Sequence, residues 1–263
     1  MECGDYKTSG IAIGQGDYGS VYNSCDKNGI CGSNVIKFGA INKFGEVVDN
    51  FDRPYDADED YVKRGDYTID EEKQLLDELY RNHIGVEIKH LEKNKQEYCY
   101  VMEKLNKNFA RDFEGEDVDT NIQKFHRCLQ VALIARLFAR LKHAGISHGD
   151  IKQDNIMRKG EIHWTKYPRV QEYEYLFIDP YPNRHTDDWG MKNVYDYIIK
   201  YSTKREYLKF FVILANSTIQ YNTTFDEIKE MISDYLEVQF TGRKSVKRCK
   251  RKRRSRKIIA KVK

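Results

Sequence analysis

The sequence predicts an α+β fold, with antiparallel strands and one main helix in its first part and mainly helices in the rest. Residues 7 to 48 alternate β-prone runs with Gly-rich turns, which is typical of antiparallel strands. From about residue 70 to 240, apolar residues recur at helical spacing, interrupted by a few short β-prone runs. A chain of 263 residues can bury one large core or two small lobes that share a cleft.

Composition and charge divide the chain further. We expect an N-terminal lobe over residues 1–104, a C-terminal lobe over 105–242 and a basic, disordered tail over 243–263. The tail holds thirteen Lys or Arg and no Asp or Glu, and subtracting them from the net charge of +4 leaves −9 on the remainder. Such a tail is expected to be a solvated end, or to contact nucleic acid, an import receptor, another acidic partner or the acidic body. Residues 49–71 are acidic and predict a loop insertion.

The apolar runs and the cysteines of the sequence indicate where in the cell the protein is expected. The longest apolar run, residues 131–141, is broken by two arginines, and the N-terminus has no apolar signal region. The sequence therefore predicts no membrane association and an intracellular protein, cytoplasmic, nuclear or both. None of the six cysteines forms a CxxC pair, which argues against a zinc site. Cys25 and Cys31 flank a turn and could face each other, but free thiols are expected in such a protein.

A Gly-rich stretch near the N-terminus fits the pattern G-x-G-x-x-G-x-V. Glycines let a backbone approach phosphate groups closely, and the valine can cover an adenine ring. An equally good interpretation of a lone match is a Gly-rich hairpin without a ligand. Residues 20–24 predict a strand and not a helix, so a dinucleotide-binding Rossmann motif is excluded. The candidate nucleotide contacts are Ile13, Gly14, Gly16, Gly19 and Val21.

Lys37 follows the apolar run of the next predicted strand, residues 33–38. Most lysines lie on the surface, so a catalytic role requires a partner carboxylate. Residues 72–79 predict a helix with leucines at helical spacing, and Glu72 lies on the flank of this apolar stripe. Glu72 would fix Lys37 against the inner phosphates of a nucleotide. Glu71 and Glu78 remain alternative partners.

Two further strands supply candidate residues. Residues 97–105 predict a buried strand that continues into a linker, where Met102 would line an adenine pocket and backbone groups of Glu103 and Leu105 would bind the base edge. Taken alone, this run is more typical of a plain strand than of a nucleotide-binding segment. A second apolar run, residues 175–178, ends in Asp179, a candidate metal ligand. Aspartate is also common in turns that precede proline.

The stretch His148-Gly149-Asp150-Ile151-Lys152-Gln153-Asp154-Asn155 follows a helix predicted over residues 130–143. It combines a carboxylate, an amine and a carboxamide, the set that phosphoryl transfer requires. Asp150 would be the base that orients a hydroxyl group, Lys152 would neutralise the transferred phosphoryl group, and Asn155 would bind a metal ion. We expect His148 to pack and form hydrogen bonds without reacting.

In this order, these motifs resemble the eukaryotic-type protein kinase superfamily over about residues 7 to 215. The HGDIK loop is similar to that of vaccinia-related, poxviral and other large-DNA-virus kinases. The resemblance implies a two-lobed fold, with a small antiparallel β N-lobe that has one main helix and a mainly helical, shortened C-lobe. It further implies ATP and Mg²⁺ in the cleft between the lobes. It also implies transfer of the γ-phosphoryl group to a protein, and Lys152 indicates a Ser or Thr hydroxyl as the acceptor.

Three departures from the family pattern leave other functions open. Gly149 replaces an arginine, and Asp179-Pro180-Tyr181 replaces Asp-Phe-Gly. Only eight residues separate Asp179 from Asp188, the expected aspartate (or Asp187) before a tryptophan at the start of a buried helix. No Ala-Pro-Glu element for peptide binding lies between them. The alternatives are a pseudokinase that acts as a nucleotide-binding scaffold and a small-molecule phosphotransferase.

Overall fold

The structure is a computed structural model that describes residues 1–16, 18–26, 28–48, 67–114, 120–162, 164–166, 169–201 and 206–241. The chain divides into two compact units. Unit 1 comprises Met1–Leu105, Ser147–Asp150 and Phe177–His185, and unit 2 comprises Asn106–Ile146, Ile151–Leu176 and Thr186–Lys263. Most of the acidic insertion and the whole basic tail lie outside the described residues.

Unit 1 contains an antiparallel sheet of seven strands, as the mixed fold class predicts. Their order is β1-β2-β3-β4-β7-β6, and β5 pairs with β4. The strands are β1 (Glu2–Cys3), β2 (Tyr6–Gly16), β3 (Gly19–Cys25), β4 (Cys31–Ile41), β5 (Val47–Val48), β6 (Ile88–Lys93) and β7 (Glu97–Glu103).

Helix α1 (Ile69–Arg81) belongs to the same unit. It begins with a capping box, in which the Thr68 hydroxyl accepts from the Glu71 backbone N–H and the Glu71 carboxylate accepts from the Thr68 N–H. Its buried side chains are Ile69, Glu72, Leu76 and Leu79. The cap fixes the residue at which the helix starts. The start in turn determines that Glu72 lies on the buried face of the helix.

Unit 2 is mainly helical. Its helices are α2 (Phe109–Phe113), α3 (Asn121–Ala144), α4 (Asp187–Lys200), α5 (Glu206–Thr218) and α6 (Phe225–Thr241). Helix α3 is buried along most of its length and packs against α5 and α6. Two small sheets pair β8 (Ile156–Lys159) with β11 (Glu174–Phe177) and β9 (Trp164–Lys166) with β10 (Arg169–Val170); Phe177 itself belongs to unit 1.

Two helices differ from what the sequence predicts. Helix α3 begins nine residues before the predicted start, because the Thr120 hydroxyl accepts from the Gln123 N–H and caps it there. Helix α4 does begin at the expected aspartates, but Trp189 is 68% exposed. The buried side of that helix is formed by residues 190, 191, 194 and 198, and Trp189 lies outside this stripe.

The cysteines are also paired where free thiols were expected. Cys3 bonds Cys99, and Cys25 bonds Cys31. The second pair follows from the β3–β4 register, which places Cys25 opposite Cys31. The first pair arises because β1 carries Cys3 into the apolar cluster that contains Cys99. Cys128 is buried and free, and Cys249 lies outside the described residues.

Within the described residues, none of the helices combines the length and apolar character that a membrane crossing requires.

Candidate functional site

Lys37 is the centre of a buried charge cluster in unit 1. Its Nζ lies 3.1 Å from Glu72 Oε1 and 3.1 Å from Asp179 Oδ1. The Lys37 and Glu72 side chains are 6% and 0% exposed, whereas that of Asp179 is 41% exposed. The structure therefore brings together three of the predicted site residues, and it selects Glu72 over Glu71 and Glu78 as the partner of the lysine.

The pKa of Lys37 reflects two opposing effects. Burial disfavours the ammonium form and by itself lowers the pKa, but the negative charges of Asp179 and Glu72 outweigh burial and raise the pKa well above its usual value. Lys37 is consequently a permanent cation at neutral pH. Such a fixed positive charge suits the binding of phosphate oxygens.

Tyr100 is a fourth member of this cluster that the sequence analysis did not single out. Its hydroxyl donates to Glu72 Oε1 at 3.0 Å, and the Lys37 Nζ lies 5.4 Å from its ring centroid. The β4–β7 register explains the contact, because it pairs Lys37 with Tyr100. Motif spacing does not predict which residues of two distant strands lie opposite each other.

Asp179 is held in an unusual backbone conformation. Its φ is +50°, a left-handed value that costs a non-glycine residue roughly 1–3 kcal/mol. Hydrogen bonds on both sides hold the turn: His148 Nε2 contacts the Ile178 carbonyl at 3.0 Å, and the Tyr181 N–H donates to the His148 carbonyl at 2.8 Å. The turn thus directs the Asp179 carboxylate at Lys37.

His148 has the structural role that the sequence predicts. It is fully buried, and its ring packs 4.8 Å from that of Phe177. Its Nδ1 accepts from the Asp150 backbone N–H at 3.3 Å, so Nε2 carries the proton and donates to Ile178. His148 therefore links the backbone of the predicted base, Asp150, to the turn that carries Asp179.

The Gly-rich stretch forms the hairpin of β2 and β3, which confirms the strand expected after the third glycine. Gly14 pairs with Val21, and Gly16 pairs with Gly19. A Cβ on Gly19 would lie 2.5 Å from the Phe38 carbonyl oxygen, so this position requires glycine. Gly14 and Gly16 are exposed, as is Ile13.

Aromatic side chains connect the hairpin turn to the Asp-Pro-Tyr turn. The ring of Tyr181 lies 6.0 Å from that of Tyr18 and 4.9 Å from that of Tyr67, both edge-on. The Tyr18 carbonyl also accepts from the Tyr98 hydroxyl at 3.1 Å. In unit 1, the third residue of the Asp-Pro-Tyr turn is thus a packed aromatic ring.

The residues predicted to contact an adenine base lie at the end of β7 and just beyond it. Met102 pairs with Val35 of β4, and Glu103 pairs with Asn34. Met102 and Leu105 are each 7% exposed. Their contacts with a nucleotide stay predictions.

The other two predicted catalytic-loop residues belong to unit 2. Lys152 is exposed, and its carbonyl accepts from the Asn155 N–H at 3.0 Å across a 3-10 turn, Gln153–Asn155. Asn155 is 5% exposed. The roles of both side chains, like that of Asp150, stay predictions.

The two predicted metal ligands belong to different units, Asp179 to unit 1 and Asn155 to unit 2, and their shared binding of a metal ion stays a prediction. Asp179 offers a carboxylate that is still 41% exposed beside Lys37, and Asn155 offers a carboxamide oxygen. Oxygen ligands of this kind are those that Mg²⁺ prefers.

No family model matches the sequence, and no curated protein matches it either. Among solved structures, the chain is similar to the crystal structure of Rad53 1-466 in complex with AMP-PNP, with 16% identity and a TM-score of 0.44. That similarity covers 88% of this chain and 52% of Rad53, so the chain spans about half the length of that protein.

Proposed function

We propose that this protein is an ATP-dependent serine/threonine protein kinase. The observation that carries the proposal is the bridging of Glu72 and Asp179 by the buried ammonium group of Lys37. Apolar residues in place of the whole ion cluster would fit this interior more cheaply, because burying charges is costly even when they are paired. A phosphate-binding role gives a reason for the arrangement.

In the proposed reaction, Lys37 contacts the inner phosphates of ATP and Glu72 fixes the position of its ammonium group. Asp150 orients the acceptor hydroxyl and receives its proton, while Lys152 contacts the transferred phosphoryl group. Asp179 and Asn155 would hold Mg²⁺, which supplies charge neutralisation at the phosphate oxygens when it is bound. Most of the acceleration would come from positioning and electrostatic stabilisation.

A second candidate is a nucleotide-binding scaffold without transferase activity. It is favoured by the short connection after the Asp179 turn, because α4 begins at Asp187 and only residues 180–186 lie between. That length holds no counterpart of the segment on which protein kinases bind peptides. The same observation suits a small-molecule phosphotransferase, for which Lys152 is the counter-evidence.

The proposal is tested by transfer of labelled phosphate from ATP with Mg²⁺, to a generic basic protein and, separately, to a mixture of metabolites. Wild type is compared with Asp150→Asn and Asp179→Asn, which conserve side-chain shape. Loss of a general base typically lowers the rate by about 10²–10⁴-fold, and we expect a loss in that range for Asp150→Asn. Asp154→Asn is the matched control, because Asp154 is an exposed carboxylate in the same loop that contacts Asn108.

Each outcome selects one function. Transfer to protein by wild type and by Asp154→Asn, but not by Asp150→Asn, supports the kinase. Transfer to a metabolite alone supports the small-molecule enzyme. Nucleotide binding by calorimetry without transfer to either acceptor supports the scaffold, and an Asp150→Asn protein as active as wild type refutes the assigned base.

A further inference from the structure

A second set of polar side chains lies on the face of the unit 1 sheet opposite Lys37. Side chains alternate along a strand, so Tyr100 faces Lys37 while Cys99 and Val101 face the other way. On that other face, the β6–β7 register places Glu92 opposite Cys99 and His90 opposite Val101. Residues 90 and 92 therefore share a face with residue 99, and β1 brings Cys3 to it, where it bonds Cys99.

The donor atoms of this set are spaced for a metal ion. One ligand atom each from Cys3, His90 and Glu92 lies within 4.8 Å of the others, the one such group of three among the described residues. Zn²⁺ binds nitrogen, oxygen and sulfur at 2.0–2.3 Å, so its tetrahedral ligands stand roughly 3.3–3.8 Å apart. The separation of His90 Nε2 from Glu92 Oε2 is 3.7 Å, within that range.

Two features indicate that the site is built and not an accidental cluster. His90 Nε2 is buried and has no hydrogen-bond partner in the described part of the chain, which is unusual for a polar atom. Glu92 Oε2 accepts from the Gly4 N–H at 2.9 Å, the kind of outer contact that orients a metal-binding carboxylate.

Gly4 also makes room for the imidazole. Its φ is +57°, and a Cβ at this position would lie 2.6 Å from His90 Nε2. The turn after β1 therefore depends on glycine both for its backbone conformation and for the approach of His90. The same turn delivers Cys3 and the N–H that binds Glu92.

We propose that the reduced chain binds one Zn²⁺ through the grouped atoms of Cys3, His90 and Glu92, and that the Cys99 thiolate, released from its bond to Cys3, turns to become the fourth ligand. Two thiolates, an imidazole and a carboxylate form a donor set that zinc accepts, and four ligands complete a closed structural site. In the disulfide form both sulfur atoms are engaged with each other, so the disulfide and the zinc ion exclude one another. Bound zinc would connect β1 to both β6 and β7, whereas the disulfide connects β1 to β7 alone.

Motif spacing does not show this site, because its two cysteines are 96 positions apart and neither belongs to a CxxC pair. The thiol form is also the one that the sequence predicts for an intracellular protein. The proposal is independent of kinase activity, since its ligands lie on the face of the sheet that Lys37 does not occupy.

The test uses the full chain, stripped of metal and reduced with a water-soluble phosphine. The phosphine becomes a phosphine oxide with oxygen from water, while each S–S bond takes up two electrons and two protons to give two thiols. Zn²⁺ alone is then added, and native mass spectrometry counts the ions retained after desalting. We expect one ion per reduced chain and none on the oxidised chain. Zinc binds sulfur as a thiolate, which a free thiol gives by losing its proton and which a disulfide cannot give. Co²⁺ in place of Zn²⁺ should give the charge-transfer absorption of thiolate ligands.

Variants decide whether these residues are the ligands. We expect Cys3→Ser to abolish the retention of zinc after desalting. Glu92→Gln should weaken the affinity for zinc at least about tenfold. The control is Cys25→Ser/Cys31→Ser, which removes the other cysteine pair and should bind zinc as wild type does. Since the Glu92 side chain is 61% exposed, Glu92→Gln remains informative if Cys3→Ser does not fold. A reduced wild type without zinc, equal retention by the oxidised chain, or unchanged affinity in Glu92→Gln and Cys3→Ser would overturn the proposal.

Discussion

The carbonyl oxygen of Tyr181 occupies the space into which any side chain at position 149 would project. A Cβ built on Gly149 would overlap that oxygen and would lie 3.1 Å from the Cβ of Arg184. Gly149 also has a φ of +79°, in the left-handed region. The glycine of the HGDIK loop and the backbone of the Asp-Pro-Tyr turn are therefore coupled, because the position of the Tyr181 carbonyl leaves room only for glycine at position 149.

Gly149→Ala should destabilise the protein more than its small size suggests. A left-handed conformation costs an L-residue roughly 1–2 kcal/mol, and relieving the overlap with Tyr181 adds to that cost. Chemical denaturation should show a fall in the free energy of unfolding of more than about 2 kcal/mol.

Gly145→Ala is the matched control for this effect. Gly145 has a similar φ of +68°, but no atom of the described residues beyond its chain neighbours lies within 4 Å of the position that its Cβ would take. Gly145→Ala should therefore show the conformational cost alone. Equal destabilisation by the two substitutions would contradict the claim that Tyr181 excludes a side chain at position 149.

The sequence predicts what local chemistry determines and misses what strand register determines. The Lys37–Glu72 contact was foreseeable, because a strand lysine and a helix carboxylate form an ordered motif. Tyr100 was missed because its role depends on lying opposite Lys37 in β7. The Cys3–Cys99 bond was missed for the same reason, since 96 positions separate the two residues and only the sheet brings them together.

Lys37→Met should cost stability as well as activity. Glu72 is fully buried, and among the described residues its Oε2 has no hydrogen-bond partner, so the carboxylate depends on Lys37 and Tyr100 at Oε1. Removing one partner of a buried ion pair typically costs about 3–5 kcal/mol. We expect a loss of that order in urea unfolding.

The double variant Lys37→Met/Glu72→Gln separates lost packing from an uncompensated charge. Glutamine keeps the shape of Glu72 without its charge, so the double variant should be more stable than Lys37→Met alone. If both proteins unfold at the same urea concentration, the buried charge of Glu72 is not the cause. Loss of phosphate transfer by Lys37→Met is interpretable only after this comparison.

Stability should fall between pH 6.5 and 4 because of His126. Burial disfavours its charged form and, with Arg127 and Arg158, outweighs the opposing attraction of Asp112, lowering the pKa of His126 from 6.5 to about 4. The unfolded chain therefore binds the proton first, so the stabilisation is complete above pH 6.5 and is lost as the pH falls to about 4. Wild type should lose roughly 1–2 kcal/mol between pH 7 and 5 through this group.

His126→Gln should have a shallower dependence of unfolding free energy on pH over the same window. Carboxylates titrate alike in both proteins, so the difference between the two curves isolates the histidine. Parallel curves would show that His126 is protonated equally in the folded and unfolded chains.

Asp112 is the residue on which the polar interior of unit 2 depends. Its carboxylate contacts Arg158 Nη1 at 2.5 Å and accepts from the Tyr175 hydroxyl at 2.7 Å, and the Asp112 and Arg158 side chains are each 6% exposed. Asp112→Ala should lower the free energy of unfolding by about 3–5 kcal/mol, because it removes the one buried carboxylate that pairs with Arg158 among the described residues and leaves only the exposed Glu161 at 3.9 Å. Tyr175→Phe, which removes one hydrogen bond to a charged group, should cost only about 1.5–3 kcal/mol.

An ion pair on α4 is exposed to solvent, unlike the buried pair of Asp112 and Arg158. Lys192 and Asp196 lie 3.2 Å apart, but their side chains are 72% and 57% exposed. Water screens such a pair, so Asp196→Ala should change the free energy of unfolding by less than about 1 kcal/mol. If Asp112→Ala were equally mild, water must reach Arg158 in the variant, and burial would not be what makes the Asp112–Arg158 pair important.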